Sequence, residues 1–243
     1  MKKLLLICAV AGLIVAVTNM ASAYQVNLFE DNFNDNSIDY SKWTADVSTS
    51  GYITEAGGLL HCNVYGTSSG RHAWLISGAF NANDWSDISF SGQWSASSYS
   101  PHTAAMAITI FNADNPTQYL QAQYDRWNTR LYLEDSGTRL ANLSRSYPTT
   151  LTSFALNFTK TGWEYYEGGS LVQSFTSTSL AGADKFYIRI GCYDFSSSLN
   201  QDFYFDNISV DADVIPEPGT MMLLGSLATG LFGFAGLRRR FKK

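Results

Sequence analysis

Lys185-Phe186-Tyr187-Ile188-Arg189-Ile190-Gly191-Cys192-Tyr193 alternates its side chains with a period of two. An extended chain puts Phe186, Ile188, Ile190 and Cys192 on one side and Tyr187, Arg189 and Tyr193 on the other; a helical period would scatter both sets. The pattern recurs outward from this stretch. In 118–125, Leu120, Ala122 and Tyr124 oppose Gln121, Gln123 and Asp125. In Gly58-Leu59-Leu60-His61-Cys62-Asn63-Val64 the even positions are apolar, and Ala56-Gly57 before it is a tight-hairpin signal joining it to Tyr52-Ile53-Thr54-Glu55. Further strands are expected over 73–77, 87–96, 103–112, 130–134, 153–159, 162–166, 170–176 and 202–210, and the 186–193 pattern extends to a strand over 185–195. Turn chemistry separates them at Asn112-Ala113-Asp114-Asn115-Pro116, Asp135-Ser136-Gly137 and Glu167-Gly168-Gly169. No helical pattern occurs between Tyr24 and Val214. About a dozen strands exceed what one open twisted sheet holds, so the expected fold is all-β, a two-sheet antiparallel β-sandwich over 24–213.

The segments outside that domain address the chain. Lys2 and Lys3, an apolar run from Leu4 to Val17 and Ala21-Ser22-Ala23 read as a signal peptide over 1–23, cut after Ala23. At the other end, 220–237 is an uncharged apolar segment of about eighteen residues, ~27 Å as a helix, the thickness of a bilayer's hydrocarbon core. Arg238, Arg239, Arg240, Lys242 and Lys243 follow, which keeps this end cytoplasmic. Pro216-Glu217-Pro218, a transmembrane helix and a basic terminus in this order resemble the PEP-CTERM sorting signal of bacterial surface proteins, covering 214–243. The resemblance implies processing by an exosortase-type membrane enzyme and delivery to the cell surface or extracellular matrix after transient anchoring in the inner membrane.

Between these ends the domain carries nine Lys and Arg against 20 Asp and Glu, a balance near −11. That argues against nucleic acid and anionic lipid as partners. Cys62 and Cys192 both fall on the apolar side of their strands. In an oxidising compartment one bridge between them is expected, with a buried pair of free thiols as the alternative.

Phe29-Glu30-Asp31-Asn32-Phe33-Asn34, Ile38-Asp39, Lys42-Trp43 and Gly57-Gly58-Leu59-Leu60 resemble the entry to concanavalin A-like jelly rolls. Trp163 to Val172 resembles their penultimate hairpin, and Phe203-Tyr204-Phe205-Asp206-Asn207-Ile208-Ser209-Val210 their closing strand. The resemblance implies that first and last strands pair, with Leu28 to Asp31 beside Tyr204 to Ile208. It also makes Asp31 and Asp206 the candidates for a structural calcium ion, among a set that includes Asp35 and Asp39; the alternative is that these residues cap loops. No other cofactor is expected.

Laminarinase-like members of that superfamily carry two or three carboxylates at alternate positions of one strand, about 5–6 Å apart, as retaining hydrolysis needs. No middle strand carries such a pair. Glu134 and Asp135 are adjacent, Glu164 and Glu167 are three apart, Glu30 and Glu55 stand alone, and 118–125 has only Asp125. Related lyases use Tyr, His, Arg and Gln, but His61, His72 and His102 lie in separate segments. The expectation is therefore a non-catalytic domain that binds glycan or matrix. Gln121, Gln123, Asp125, Tyr187, Arg189 and Tyr193 would form its groove if their strands share a sheet, with Trp94 and Trp127 at the rim. The alternatives are an extracellular polysaccharide hydrolase or lyase, and a structural biofilm or adhesion protein.

Overall fold

The computed structural model describes residues 23–66, 70–97, 104–125, 129–194 and 199–215. Residues 1–22 of the signal peptide, Pro216, Glu217 and Pro218, the 220–237 segment, His102 and Trp127 lie outside them. Among the described residues no helix is long and apolar enough to cross a membrane.

In chain order the strands are β1 (Tyr24–Asp31), β2 (Trp43–Val47), β3 (Gly51–Ala56), β4 (Leu59–Gly66), β5 (His72–Ser77), β6 (Phe80–Asn81), β7 (Trp85–Ala96) and β8 (Ala104–Asn112). Then come β9 (Tyr119–Asp125), β10 (Arg130–Asp135), β11 (Thr138–Ser144), β12 (Thr152–Thr159), β13 (Trp163–Glu167), β14 (Ser170–Phe175), β15 (Lys185–Asp194) and β16 (Leu199–Val214). They form two eight-stranded sheets in which every pairing is antiparallel. The first runs β14-β13-β12-β7-β16-β4-β3, and β1 also pairs with β16. The second runs β11-β10-β9-β8-β15-β5-β2, with β6 also on β15. Phe90, Leu156, Phe203 and Phe205 of the first sheet and Ile108, Ile110, Leu133 and Ile188 of the second are fully buried between them.

The β3–β4 hairpin turns at Gly57 and Gly58, both at positive φ, where a side chain would strain the backbone. Three strands have no counterpart in the sequence pattern. β6 is two residues long, β2 alternates over only five, and β11 is an edge strand whose largely exposed Thr-Arg-Leu-Ala-Asn-Leu-Ser reads as a loop. First and last strands do pair, in a shifted register: Asp31 faces Ile208 and Phe29 faces Val210. Bulges in β1 after Asn27 and in β16 between Asp206 and Ser209 move the alignment, with Asn207 at positive φ inside the second.

Two expected features are corrected. Trp94 is no rim residue: it is fully buried between the sheets, its ring 4.6 Å from that of Tyr124. It shares the inward phase of Ile88, Phe90 and Gly92 along β7. Cys62 on β4 and Cys192 on β15 are free thiols, both fully buried, so the expected bridge is not made. Burial in apolar surroundings pushes both thiols far above their ordinary pKa and keeps them unreactive.

On the outer face of the first sheet Asp87 lies directly opposite Asp213 across β7 and β16. Burial raises the Asp87 pKa, and the charges of Asp213 and Glu164 raise it further. A carboxyl raised on folding stabilises the protein below its unfolded pKa, and that contribution is lost as pH rises through the folded value. Asp87→Asn is therefore expected to raise the melting temperature at neutral pH and to have progressively less benefit as pH falls through the carboxylate range. A melting-temperature difference that does not shrink toward acid would contradict this.

Candidate functional site

The second sheet turns one face to the core and the other away from it, and no described strand packs over the outer face. Register places its residues in rows that cross the strands. One row runs Asp46, Trp74, Gly191, Ala107, Gln123, Tyr132. The row on one side runs His72, Tyr193, Ala105, Asp125, Arg130. The row on the other runs Thr44, Ile76, Arg189, Thr109, Gln121, Glu134. Beyond it lie Tyr187, Phe111 and Tyr119.

The middle of this face is short. Gly191, Ala105, Ala107 and Thr109 form a floor, and longer side chains from β5, β9, β10 and the rest of β15 stand around it. Ala105, Ala107 and Thr109 are wholly inaccessible although they point away from the core. Gly191 is required by two constraints: its φ is 143°, and a Cβ there would overlap the Ala73 carbonyl and meet Trp74 Cε3 at 3.0 Å. Gly191→Ala is expected to cost about 3 kcal/mol from backbone strain and overpacking together. Urea denaturation would measure it, and a loss below about 1 kcal/mol would mean that the strand absorbs the methyl.

Hydrogen bonds fix the amides. Thr109 Oγ1 donates to Gln121 Oε1 at 3.0 Å, and Gln121 Nε2 donates to Gln123 Oε1 at 3.1 Å and to Glu134 Oε2 at 3.4 Å. Glu134 Oε1 in turn accepts from Arg139 Nε at 3.3 Å. This relay holds the Gln123 carboxamide by its oxygen, and its nitrogen makes no hydrogen bond among the described residues.

Rings flank the floor on both sides. Trp74 and Tyr193 pack with centroids 5.3 Å apart, and Phe111 stacks on Tyr187 at 4.7 Å. Arg189 lies between the two groups, its guanidinium carbon 4.5 Å from the Trp74 ring and 4.9 Å from that of Phe111. Burial holds the Tyr193 phenol well above the ordinary tyrosine range, and the charges of Glu134 and Asp125 add to this. Tyr193 therefore keeps its proton at neutral pH. At the far edge His72 Nε2 meets Asp46 Oδ1 at 3.1 Å.

Of the residues singled out in the sequence, Gln121, Gln123, Asp125, Tyr187, Arg189 and Tyr193 do share this face, because β8 joins their strands into one sheet. Trp74, His72, Tyr132 and Glu134 join them from β5 and β10, and Asp46 from β2, a strand with no counterpart in the sequence pattern. Trp74 carried a usable signal: His72, Trp74 and Ile76 alternate out of phase with Ala73, Leu75 and Ser77, of which Ala73 and Leu75 pack in the core. Glu134 falls outside the two-carboxylate pattern because its neighbour Asp135 points to the opposite side of the strand.

The calcium expectation is not supported by the donor set. Asp31 accepts Phe33 N on Oδ1 at 3.0 Å and the Trp43 indole on Oδ2 at 2.6 Å. Asp206 accepts the main-chain and side-chain nitrogens of Asn207. A hollow of about 420 Å³ where β1 meets β16 is lined by Glu30, Asp31, Asn32, Lys42 and Asn207 but not by Asp206. Among the described residues no group of three His, Cys, Asp or Glu could hold a metal ion.

No family model matches the chain, and no curated protein matches it. Solved structures do. An alginate lyase of polysaccharide lyase family 7 superposes with a TM-score of 0.53 at 12% identity, covering 72% of this chain and 96% of the other. The endo-1,3-β-glucanase (laminarinase) catalytic domain from Thermotoga petrophila gives 0.57 at 12% identity, covering 79% and 99%. A CBM2 module from the Dit protein of Lactobacillus casei phage J-1 gives 0.63 at 9% identity, covering 81% and 100%. The architecture is that of the concanavalin A-like jelly roll. These likenesses correct the expectation of a non-catalytic domain: enzymes that degrade polysaccharides are prominent among the structures built this way. The missing carboxylate strand had spoken only against the glucanase chemistry, not against an active site assembled across strands.

Proposed function

We propose that this protein is a polysaccharide-cleaving enzyme that works on a glycan chain laid across the outer face of the second sheet. The observation that carries this reading is the meeting, around one short-floored surface, of Tyr193, Gln123, Arg189 and Trp74. Indole and phenol rings offer flat faces to pyranose rings, and fixed amide donors bond their hydroxyls. Tyr193, held protonated, would give its proton to the glycosidic oxygen as the bond breaks, the part a general acid plays in chain cleavage. Either water adds to the anomeric carbon (hydrolysis) or the neighbouring sugar loses its C5 proton and gains a double bond (elimination), the proton released to solvent balancing the one that Tyr193 later takes back. A retaining two-carboxylate mechanism is not favoured, since Glu134 is engaged by Arg139 and Gln121, while Asp46 lies at the opposite margin beside His72. The alginate lyase and the glucanases of the same architecture support the reaction class.

In this reading residues 1–23 direct export, and the Pro216-Glu217-Pro218 signal with the 220–237 helix delivers the enzyme to the cell surface through an exosortase-type partner. The test is incubation of the purified protein with alginate, polygalacturonate, laminarin and other polymers. New reducing ends are the expected result, and ultraviolet absorbance from an unsaturated product separates elimination from hydrolysis. Retention of a polymer without any chain cleavage would overturn the proposal.

A further inference from the structure

Among the described arginines Arg130 and Arg189 make no ion pair, and of these two only Arg189 has a buried Nε without a partner. Arg71 pairs with Asp194, Arg139 with Glu134 and Arg145 with Glu167. The Arg189 guanidinium makes no ion pair and no hydrogen bond among the described residues, and its Nε is buried without a partner. The faces of Trp74 and Phe111 hold it, and the more distant Asp46 carboxylate adds a favourable charge without pairing with it. Burial lowers its pKa, yet a guanidinium stays charged throughout the working range of proteins.

A partly buried cation with no counter-ion at ion-pair distance is costly, and cation–π contact offsets only part of that cost. The cost falls in a domain that carries 20 acidic residues, any of which placed on a neighbouring strand would have relieved it. The residues beside Arg189 are instead Ile76 and Thr109 across the strands, and its aromatic clamp leaves the planar N–H edge unspent. About 10 Å away, two strands over, the Gln123 nitrogen offers a second free donor. Both unspent groups donate and neither accepts.

We propose that the polymer handled on this face is a polyanion, and that an acidic group of one of its sugars docks on the Arg189 guanidinium, with the adjoining sugar reaching the Gln123 amide. This rests on the reading of the face as a polysaccharide site and narrows its substrate class. The chemistry shared by carboxylated and sulfated sugars, a planar or tripodal oxyanion, matches the guanidinium edge, which binds carboxylate through two parallel hydrogen bonds. The laminarinase likeness, taken by itself, would have pointed to a neutral glucan.

The test uses the full chain and its Arg189→Met variant, which keeps the apolar stem between the rings and removes the charge. Affinity electrophoresis through alginate or polygalacturonate, dextran sulfate and laminarin separates carboxylate, sulfate and neutral polymers. The expected result is retardation by one of the acidic classes, weakened at least about tenfold in Arg189→Met, with laminarin affecting both proteins equally and weakly. The free variant is also expected to melt at the same or a higher temperature than the parent, because an unpaired charge has been removed. Equal retardation of parent and variant, or preference for laminarin, would overturn the proposal and leave polysaccharide cleavage standing. A variant that melts lower would show that Arg189 serves packing, and would overturn it too. Arg189-dependent retention without chain cleavage would sink the enzymatic reading and leave this one intact.

Discussion

Tyr193→Phe is expected to lower the cleavage rate by about 100- to 10,000-fold while leaving polymer binding within a few-fold of the parent. The substitution deletes one oxygen and keeps the ring that packs on Trp74, so the shape of the face is retained. What disappears is the proton. Burial and the charges of Glu134 and Asp125 keep the donor protonated through the neutral range, while the same raised pKa makes it a weaker acid than a free phenol. The parent should therefore lose no activity on the alkaline side from Tyr193 until well beyond the pH at which an ordinary phenol titrates. The measurement is kcat and KM on whichever polymer is cleaved, over a range of pH. A fall in kcat with steady KM supports proton donation; a raised KM at unchanged kcat would make Tyr193 a binding residue only.

The sandwich was legible because its strands are buried on one face and partly polar on the other, so period two marks nearly all of them. The strands that escaped are those where this contrast vanishes, at the two-residue β6, the short β2 and the exposed edge β11. The site was legible only in part, for a different reason. Sequence alternation tells which residues share a side of one strand, and so Gln121, Gln123 and Asp125 could be grouped, as could Tyr187, Arg189 and Tyr193. It does not tell which strand lies between them. β8 does, and β8 is the strand with no alternation at all: Ala104 to Asn112 is buried along both faces. Its outward Ala105, Ala107 and Thr109 look like core, and only the assembled sheet shows that they are the floor of a site.

The second large effect concerns the strand end that sets Tyr193 in place. Arg71 and Asp194 flank the His72–Tyr193 pair, and their side chains form an ion pair that is almost wholly buried, with 4% and 0% of each exposed. Main-chain bonds reinforce it: Asp194 N donates to Arg71 O at 2.9 Å, and Gly70 N donates to Asp194 O at 3.1 Å. Asp194→Ala takes the carboxylate away from a buried guanidinium and is expected to cost about 3–5 kcal/mol, a large part of a domain's stability. The double change Arg71→Met with Asp194→Leu removes both charges and should recover much of that loss, since such pairs are often replaceable by apolar side chains. Urea denaturation of the parent, both single variants and the double variant gives the coupling directly. A loss below about 1 kcal/mol for Asp194→Ala, or a double variant worse than either single one, would mean that the pair is not what holds this end of the sheet. Activity adds a second readout. Because the pair fixes β5 against β15, the double variant should keep Tyr193 opposite His72 and retain most cleavage activity, whereas Asp194→Ala should lose activity well below its melting temperature as this end of β15 loosens.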